Sequence, residues 1–479
     1  MQILDPESLT VARTRGARWS GLLRAWEGQT HGEELLIEGS LVKAAGLALE
    51  ATGCTAPVGS RCIVHSAKGE PMEAEVVGFC EDRIFLMPID QISGLAPRAR
   101  VTPLPGSARR PVGDALLGRV VDALGRPLDS AGRLRCRASA PLHARMLNPL
   151  SRQPVSEPLD VGVRSLNALL TTGRGQRLGL FAGSGVGKSS LLAMMTRYAR
   201  ADVIVVGLIG ERGREVREFI EENLGPEGLA RAVVVATPSD ASALMRLHGA
   251  LYATSIAEHF RDSGRHVLFL MDSLTRFAQA QREIGLSIGE PPATRGYPPS
   301  VFARLPELIE RTGNGGQSNG SITAFYTVLV EGDDHTDPIA DTARATLDGH
   351  IMLSREIAES GLYPPIDVDA SISRSMPRLT SPDHAADVQL FREVFAHYMQ
   401  HRDLITVGAY TPGSDPKLDT AVRMWPRIRE FLRQDINEAV SLEESRRALR
   451  RLVADFDPDS AQRNELTAST AGSELTTTR

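Results

Sequence analysis

The sequence predicts a multidomain α/β protein: an amino-terminal β-barrel, a central domain on a mainly parallel sheet, and a helical carboxy-terminal domain. Three observations carry this. Short runs rich in Val, Ile and Leu, each ended by Gly, Pro or Asp, fill residues 33–101; near-continuous apolar strands alternate with helical patterns between about 175 and 355; and apolar residues recur at helical spacing after Pro382. A chain of 479 residues has room for about three ordinary domains. Its 42% hydrophobic and 24% charged content is that of a soluble globular protein, and a net charge of -5 gives no duplex-binding footprint, so nucleic acid is not an expected partner. Cys54, Cys62, Cys80 and Cys136 form no CxxC pair and lie near no His cluster, which argues for reduced thiols in a cytosolic protein. The segment MQILDPESLTVARTRG lacks a continuous apolar core and no later stretch has bilayer-spanning length, so neither secretion nor membrane insertion is expected.

Residues 1–30 form a first element. Asp5 and Pro6 signal a helix start, and Trp19, Leu22, Leu23 and Trp26 follow at helical spacing among Arg13, Arg15, Arg18 and Arg24. Such a helix either packs its apolar stripe on the protein body or docks on an acidic partner or anionic lipid surface, and Gly16 and Gly21 weaken both readings. Residues 31–103 contain LVKAAGLALEA, RCIVHSA, EAEVVGFC and RIFLMPI, short strands at near-regular spacing that predict a small closed barrel or sandwich. A Pro-rich linker then leads, through GRVVDALGRPLD, into the central domain over 104–378. Its buried-type strands include QRLGLFA, DVIVVGLI, AVVVAT, HVLFLMD and SITAFYTVLV, and their alternation with helices argues a parallel sheet covered on both faces. In the domain over 379–456, Ser381 and Pro382 cap a helix with Val388, Phe391, Phe395 and Tyr398 on one face, and a further helical pattern runs through Leu418, Val422 and Phe431 to about Val453. Residues 457–479, rich in Ser and Thr, are expected to be disordered.

The chemistry concentrates at three strand ends. Ala182-Gly183-Ser184-Gly185-Val186-Gly187-Lys188-Ser189, followed by Ser190, joins an apolar strand to a helix, the context in which backbone N–H groups and a helix N-terminus converge on phosphates. Ala182 replaces the usual first glycine, while Gly183, Gly185 and Gly187 keep positive φ and close approach accessible. Lys188 is placed to reach the β- and γ-phosphates of ATP, and the Ser189 hydroxyl to coordinate Mg²⁺. HVLFLMD ends in Asp272, a carboxylate at the sheet edge able to hold a Mg²⁺-bound water. DVIVVGLI delivers Gly210-Glu211-Arg212 to the same edge, where Glu211 can polarise the attacking water; without the adjacent loop these residues would read as a solvated Glu–Arg turn. The expected activity is hydrolysis of Mg-ATP.

Taken with GEPPATRGYPPSVFARLPELIERTG, DPIADTARATLDGHIMLSR and YPPIDVDASISR, these motifs run nearly continuously from about 113 to 376 and resemble the flagellum-specific export ATPases. Those belong to the hexameric family that includes the rotary ATP synthase catalytic subunit. The resemblance implies a RecA-like central domain, a homohexameric ring and ATP sites at subunit interfaces. It makes Glu211 the catalytic glutamate, Arg212 its neighbour in the GER motif, and Arg374 an arginine supplied to the adjacent subunit. It places Tyr363, and Tyr410 in VGAYTPG, beside adenine, although for Tyr410 ordinary core packing accounts for the residue equally well. It further implies regulatory stator-like and stalk-like export proteins, a membrane export gate, exported flagellar subunits and their chaperones as partners. The ring would be cytoplasmic and peripheral to the inner membrane export apparatus.

Four other readings share this core. A virulence-type secretion ATPase differs at FLMPIDQISGLAPRARV and around GLFAGSGVGKSSLLAMM, which look more like the flagellar branch. An ATP synthase subunit is disfavoured by the long amino-terminal segment and by DDHTDPIADTARATLDGH. A ring-shaped RNA helicase or terminator needs a basic barrel with stacking aromatics, and this barrel offers only Phe79 and Phe85. A non-hydrolysing structural subunit is opposed by the coexistence of Lys188, Glu211 and Arg374.

Overall fold

The computed structural model describes residues 37–66, 70–90, 94–104, 109–143, 147–183, 185–316, 320–330 and 337–456, together with Trp19. Apart from exposed Trp19, the expected basic helix of residues 1–30 lies outside the described residues, as do Ser184 and the tail from 457. The chain divides into two compact units, Met1–Pro88 with Ile92–Gly106, and Ile89–Gln91 with Ser107–Arg479.

In the first unit, strands β1 (Gly39–Ala45), β2 (Ala48–Thr52), β3 (Arg61–Val64), β4 (Met72–Cys80), β5 (Arg83–Pro88) and β6 (Arg100–Pro103) close in the order β1-β2-β5-β4-β3-β6. β6 pairs back onto β1 through Gly39–Val101 and Ser40–Arg100, which makes a barrel and not a sandwich. Alternate residues of β3 and β6 are buried, the two-residue period of a strand with one face inward. LVKAAGLALEA is a hairpin, β1 to β2, turned at Gly46 with φ 61°.

The second unit holds a small pair, β7 (Arg109–Val112) with β9 (Ala138–Pro141), and a nine-stranded sheet. The sheet strands are β8 (Arg119–Val121), β10 (Arg177–Ala182), β11 (Val203–Ile209), β12 (Ala232–Thr237), β13 (His266–Asp272), β14 (Gly313–Asn314), β15 (Ser321–Leu329), β16 (Gly349–Leu353) and β17 (Ile366–Ser373). Their order is β17-β16-β10-β15-β13-β11-β12-β8, parallel from β16 to β8, with β17 antiparallel on one edge and β14 antiparallel on β15. Every residue of β11 and β12 is buried because helices cover both faces. Ile204, Val206 and Leu208 point into one core and Val203, Val205 and Ile209 into the other. Full burial of such a side chain contributes about 1.5–3 kcal/mol, which keeps these strands central.

The flanking helices used below are α1 (Arg164–Leu169), α2 (Lys188–Tyr198), α3 (Gly213–Glu218), α4 (Ala243–Asp262), α5 (Leu274–Ser287), α6 (Pro299–Glu310), α7 (Pro338–Thr346), α8 (Pro382–Thr406), α9 (Pro416–Leu432) and α10 (Leu442–Ala454). The last three pack Phe391, Phe395, Phe431 and Leu449 into the core that also contains α2. The Ser381 hydroxyl accepts from His384 N as expected of an N-cap. The helical pattern from Leu418 to Val453 is not one helix. It breaks after Leu432, where Arg164 caps the carbonyls of Phe431 and Arg433 and the Gln434 side chain accepts from Arg164 N and donates to Gly162 O. It restarts at a capping box between Ser441 and Glu444.

Candidate active site

β10 ends in buried Ala182, whose methyl packs in the strand, and the chain then turns through residues 183–187 into α2. Gly185 and Gly187 take φ of 76° and 93°, the left-handed region that a side chain would strain. Gly183, expected to use the same freedom, has no positive φ; what matters there is space, since a Cβ would lie 3.3 Å from Arg355 Nη2. Ser189 and Ser190 are exposed on the first turn of α2, while Leu191 onward is buried. The open N-terminus of α2 therefore faces a cavity of about 610 Å³, lined by Gly183, Gly185, Lys188, Ser189, Glu211 and Asp272 among others.

Three strand ends meet in that cavity because β10, β11 and β13 are parallel and place their carboxyl ends on one edge. Lys188 Nζ donates to Asp272 Oδ1 at 2.7 Å and stands 3.5 Å from Glu211 Oε1. Thr327 Oγ1, on β15, donates to the same Asp272 oxygen at 2.6 Å. Ser239 N donates to Glu211 O at 2.9 Å and fixes that turn from the end of β12. Burial opposes the charge on Lys188, but Asp272 and Glu211 outweigh it and hold its pKa above the ordinary lysine value. Burial, reinforced by the negative charge of Asp272 against the pull of Lys188, pushes the Glu211 carboxyl up to about 7. Arg212 is solvent-exposed and pairs with Glu215 at 3.4 Å.

The remaining candidates lie elsewhere. Tyr363 is half exposed, and its Cε1 is 3.5 Å from the position a Cβ on Gly187 would occupy. It lines a second cavity with Gly361, Gln434, Asp435 and Ile436. Tyr410 lines neither cavity. Its hydroxyl, in the loop that precedes α9, donates to Asp419 Oδ1 on the first turn of that helix at 2.5 Å. Arg374 follows the edge strand β17, exposed, with its N–H on Asp348 O at 3.0 Å and Nη2 on Arg344 O at 3.3 Å. Gln434 and Arg355 were not singled out from the sequence. Arg355 follows a parallel strand's carboxyl end, a signal that could have found it.

The match to known proteins agrees with this geometry. The ATP synthase alpha/beta family nucleotide-binding domain matches residues 162–373, and the T3SS EscN ATPase C-terminal domain matches 380–451. A Flagellum-specific ATP synthase from Pseudomonas aeruginosa is 58% identical over 438 residues, 90% of this chain and 97% of that protein. The chain belongs to the flagellum-specific ATP synthase family. It is an ATPase of the flagellar and type III export class. A Flagellum-specific ATP synthase from Salmonella typhimurium is likewise 58% identical, over 86% of this chain and 92% of its own length. A Type 3 secretion system ATPase from Sinorhizobium fredii is 47% identical over 86% and 91%, so the flagellar reading is favoured over the virulence-type alternative. The assembled ATPase EscN of the enteropathogenic E. coli type III secretion system superposes with a TM-score of 0.82 at 42% identity, covering 87% of this chain and all of that one. EscN in complex with its central stalk EscO gives 0.79 at 41%.

Proposed function

We propose that this flagellum-specific ATPase hydrolyses Mg-ATP at interfaces of a homohexameric ring to energise protein export. The convergence of Lys188, Glu211 and Asp272 on one cavity at the N-terminus of α2 carries the reading. Backbone N–H groups of the loop and of the first turn of α2 cradle the triphosphate, and Lys188 leaves its carboxylates for the β- and γ-phosphates. The donor set at this edge, a serine hydroxyl and a carboxylate, suits a hard cation. Ser189 Oγ would hold Mg²⁺ directly and Asp272 through a water, and the ion when bound would supply neutralisation of phosphate charge. Glu211 accepts a proton from the attacking water, a contribution of about 10²–10⁴ in rate.

Arg374 serves the neighbouring protomer's site. Ser373 pairs with Gly349 at the start of β16, and Arg374 N binds Asp348 O, whose carboxylate holds Arg177 at the start of β10. The loop follows the other end of β10, roughly 17 Å of strand away by the rise per residue, beyond an arginine's reach. Adenine occupies the cavity between Tyr363 and the 434–436 segment, next to the loop through Gly187. Stalk-like and stator-like export proteins, the membrane export gate, and exported subunits with their chaperones are the partners of such a ring. Among the described residues no helix is long and apolar enough to cross a membrane. Steady-state turnover with parallel equilibrium binding tests the reading: Glu211→Gln should bind ATP normally and turn it over at least about 10²-fold more slowly. Full turnover in that variant would remove Glu211 from the mechanism.

A further inference from the structure

We propose that Arg344 is a positioning residue: it sets the arginine offered to the neighbouring protomer by tying Arg374 to the strand that carries its own protomer's phosphate-binding loop. The inference rests on the reading of Arg374 as acting in trans. Phe181, buried, is the residue before Ala182 at the end of β10. The Arg344 guanidinium, on α7, lies 4.9 Å over the centroid of its ring. The Arg344 carbonyl accepts from Arg374 Nη2 at 3.3 Å. His350, on β16, meets the same ring edge-on at 5.9 Å and donates from Nε2 to Ala370 O, on β17, at 3.0 Å. The Phe181 ring, folded back over Gly179 on the strand that carries the loop, is thus held by two side chains, one of which reaches β17 at Ala370 and the other, through its carbonyl, Arg374 just past that strand.

The arrangement has a physical use. An exposed arginine has several free torsions, and ordering them in a neighbour's site costs catalytic advantage unless the side chain is held beforehand. A guanidinium over an aromatic face is a planar, partly desolvated contact that fixes the backbone behind it. On Phe181 the Arg344 guanidinium anchors the last turn of α7 to β10, and the carbonyl which that turn presents accepts from Arg374.

Full-length protein at ring-forming concentration tests this. Arg344→Ala should lower kcat by roughly ten- to a hundredfold, the cost of a misplacement of about 1 Å, with ATP binding unchanged. Arg344→Lys, which keeps charge without the planar fork, should lose less. Adding Arg344→Ala to Arg374→Ala should cost nothing further. Mixing Arg344→Ala with Lys188→Ala should regain turnover, because Lys188→Ala protomers offer intact Arg344 and Arg374 to working loops. Unchanged kcat, losses that multiply in the double variant, or a mixture no better than the sum of its parts would each overturn the proposal. If Arg374→Ala alone keeps full turnover, the trans reading of Arg374 is what fails.

Discussion

Lys188 and Asp272 are joined at 2.7 Å, and Glu211 lies 3.5 Å from the same ammonium, so one buried cation is shared by two carboxylates. The cluster is left one charge short of neutrality, and burial with that excess raises Glu211 to about 7. A base must be ionised to take a proton. The kcat/KM of the free enzyme should therefore climb as pH rises through about 7 and level off above it, and the residual activity of Glu211→Gln should lack that inflection. A flat wild-type profile between pH 6 and about 8 would contradict this.

The same shift has a stability consequence of defined sign. Glu211 is raised from 4.5 in the ordinary state to about 7 in the fold, so the folded protein holds the extra proton. Its contribution is present below pH 4.5 and is lost as pH rises through about 7. Thermal melts should show Glu211→Gln gaining on the wild type from the acid to the alkaline side of that window.

The proposed adenine cavity distinguishes two tyrosines. Tyr363→Ala should raise the KM for ATP by roughly 5- to 150-fold, the range for one base stacked on one aromatic ring, with kcat little changed. Tyr410→Ala should leave KM unaltered, because its hydroxyl is held by Asp419 and its ring lines neither cavity. A KM effect at Tyr410 without one at Tyr363 would reverse the assignment.

Away from the site, Arg311 donates to both oxygens of Glu258, at 3.0 and 2.6 Å, and to Ser255 Oγ and Leu142 O, in a buried network between α4 and the end of α6. Glu258→Ala leaves the guanidinium buried without its carboxylate, at a cost of about 3–5 kcal/mol. Chemical denaturation should show that loss, while turnover per folded molecule stays near wild type.

Where apolar runs are long and end in chemistry, sequence and structure coincide. DVIVVGLI and HVLFLMD read as strands buried on both faces, and the carboxylates they deliver, Glu211 two residues past the end of β11 and Asp272 as the last residue of β13, meet because parallel strands end on one edge. What stayed hidden depends on contacts between distant segments. Nothing near Gln434 signals a cavity wall: it is placed by Arg164 and Gly162, some 270 positions earlier in the chain. Tyr410 and Tyr363 share one residue type in similar Gly-flanked loops, and only the packing of α9 sends one hydroxyl to Asp419. The break at Arg433 was legible only in part: the Ser441–Glu444 capping box is a local signal, whereas the stop after Leu432 is imposed by Arg164.

The most direct test of the central claim, a shared site between protomers, is ATP turnover of an equal mixture of Lys188→Ala and Arg374→Ala as concentration is raised. Each variant alone should be nearly inactive, Arg374→Ala by about 10³–10⁵ if its arginine acts as a trans finger. Mixed rings contain interfaces with both an intact loop and an intact arginine, so activity should reappear and grow with concentration. A mixture that stays at the sum of its parts at every concentration would mean that each protomer completes its own site.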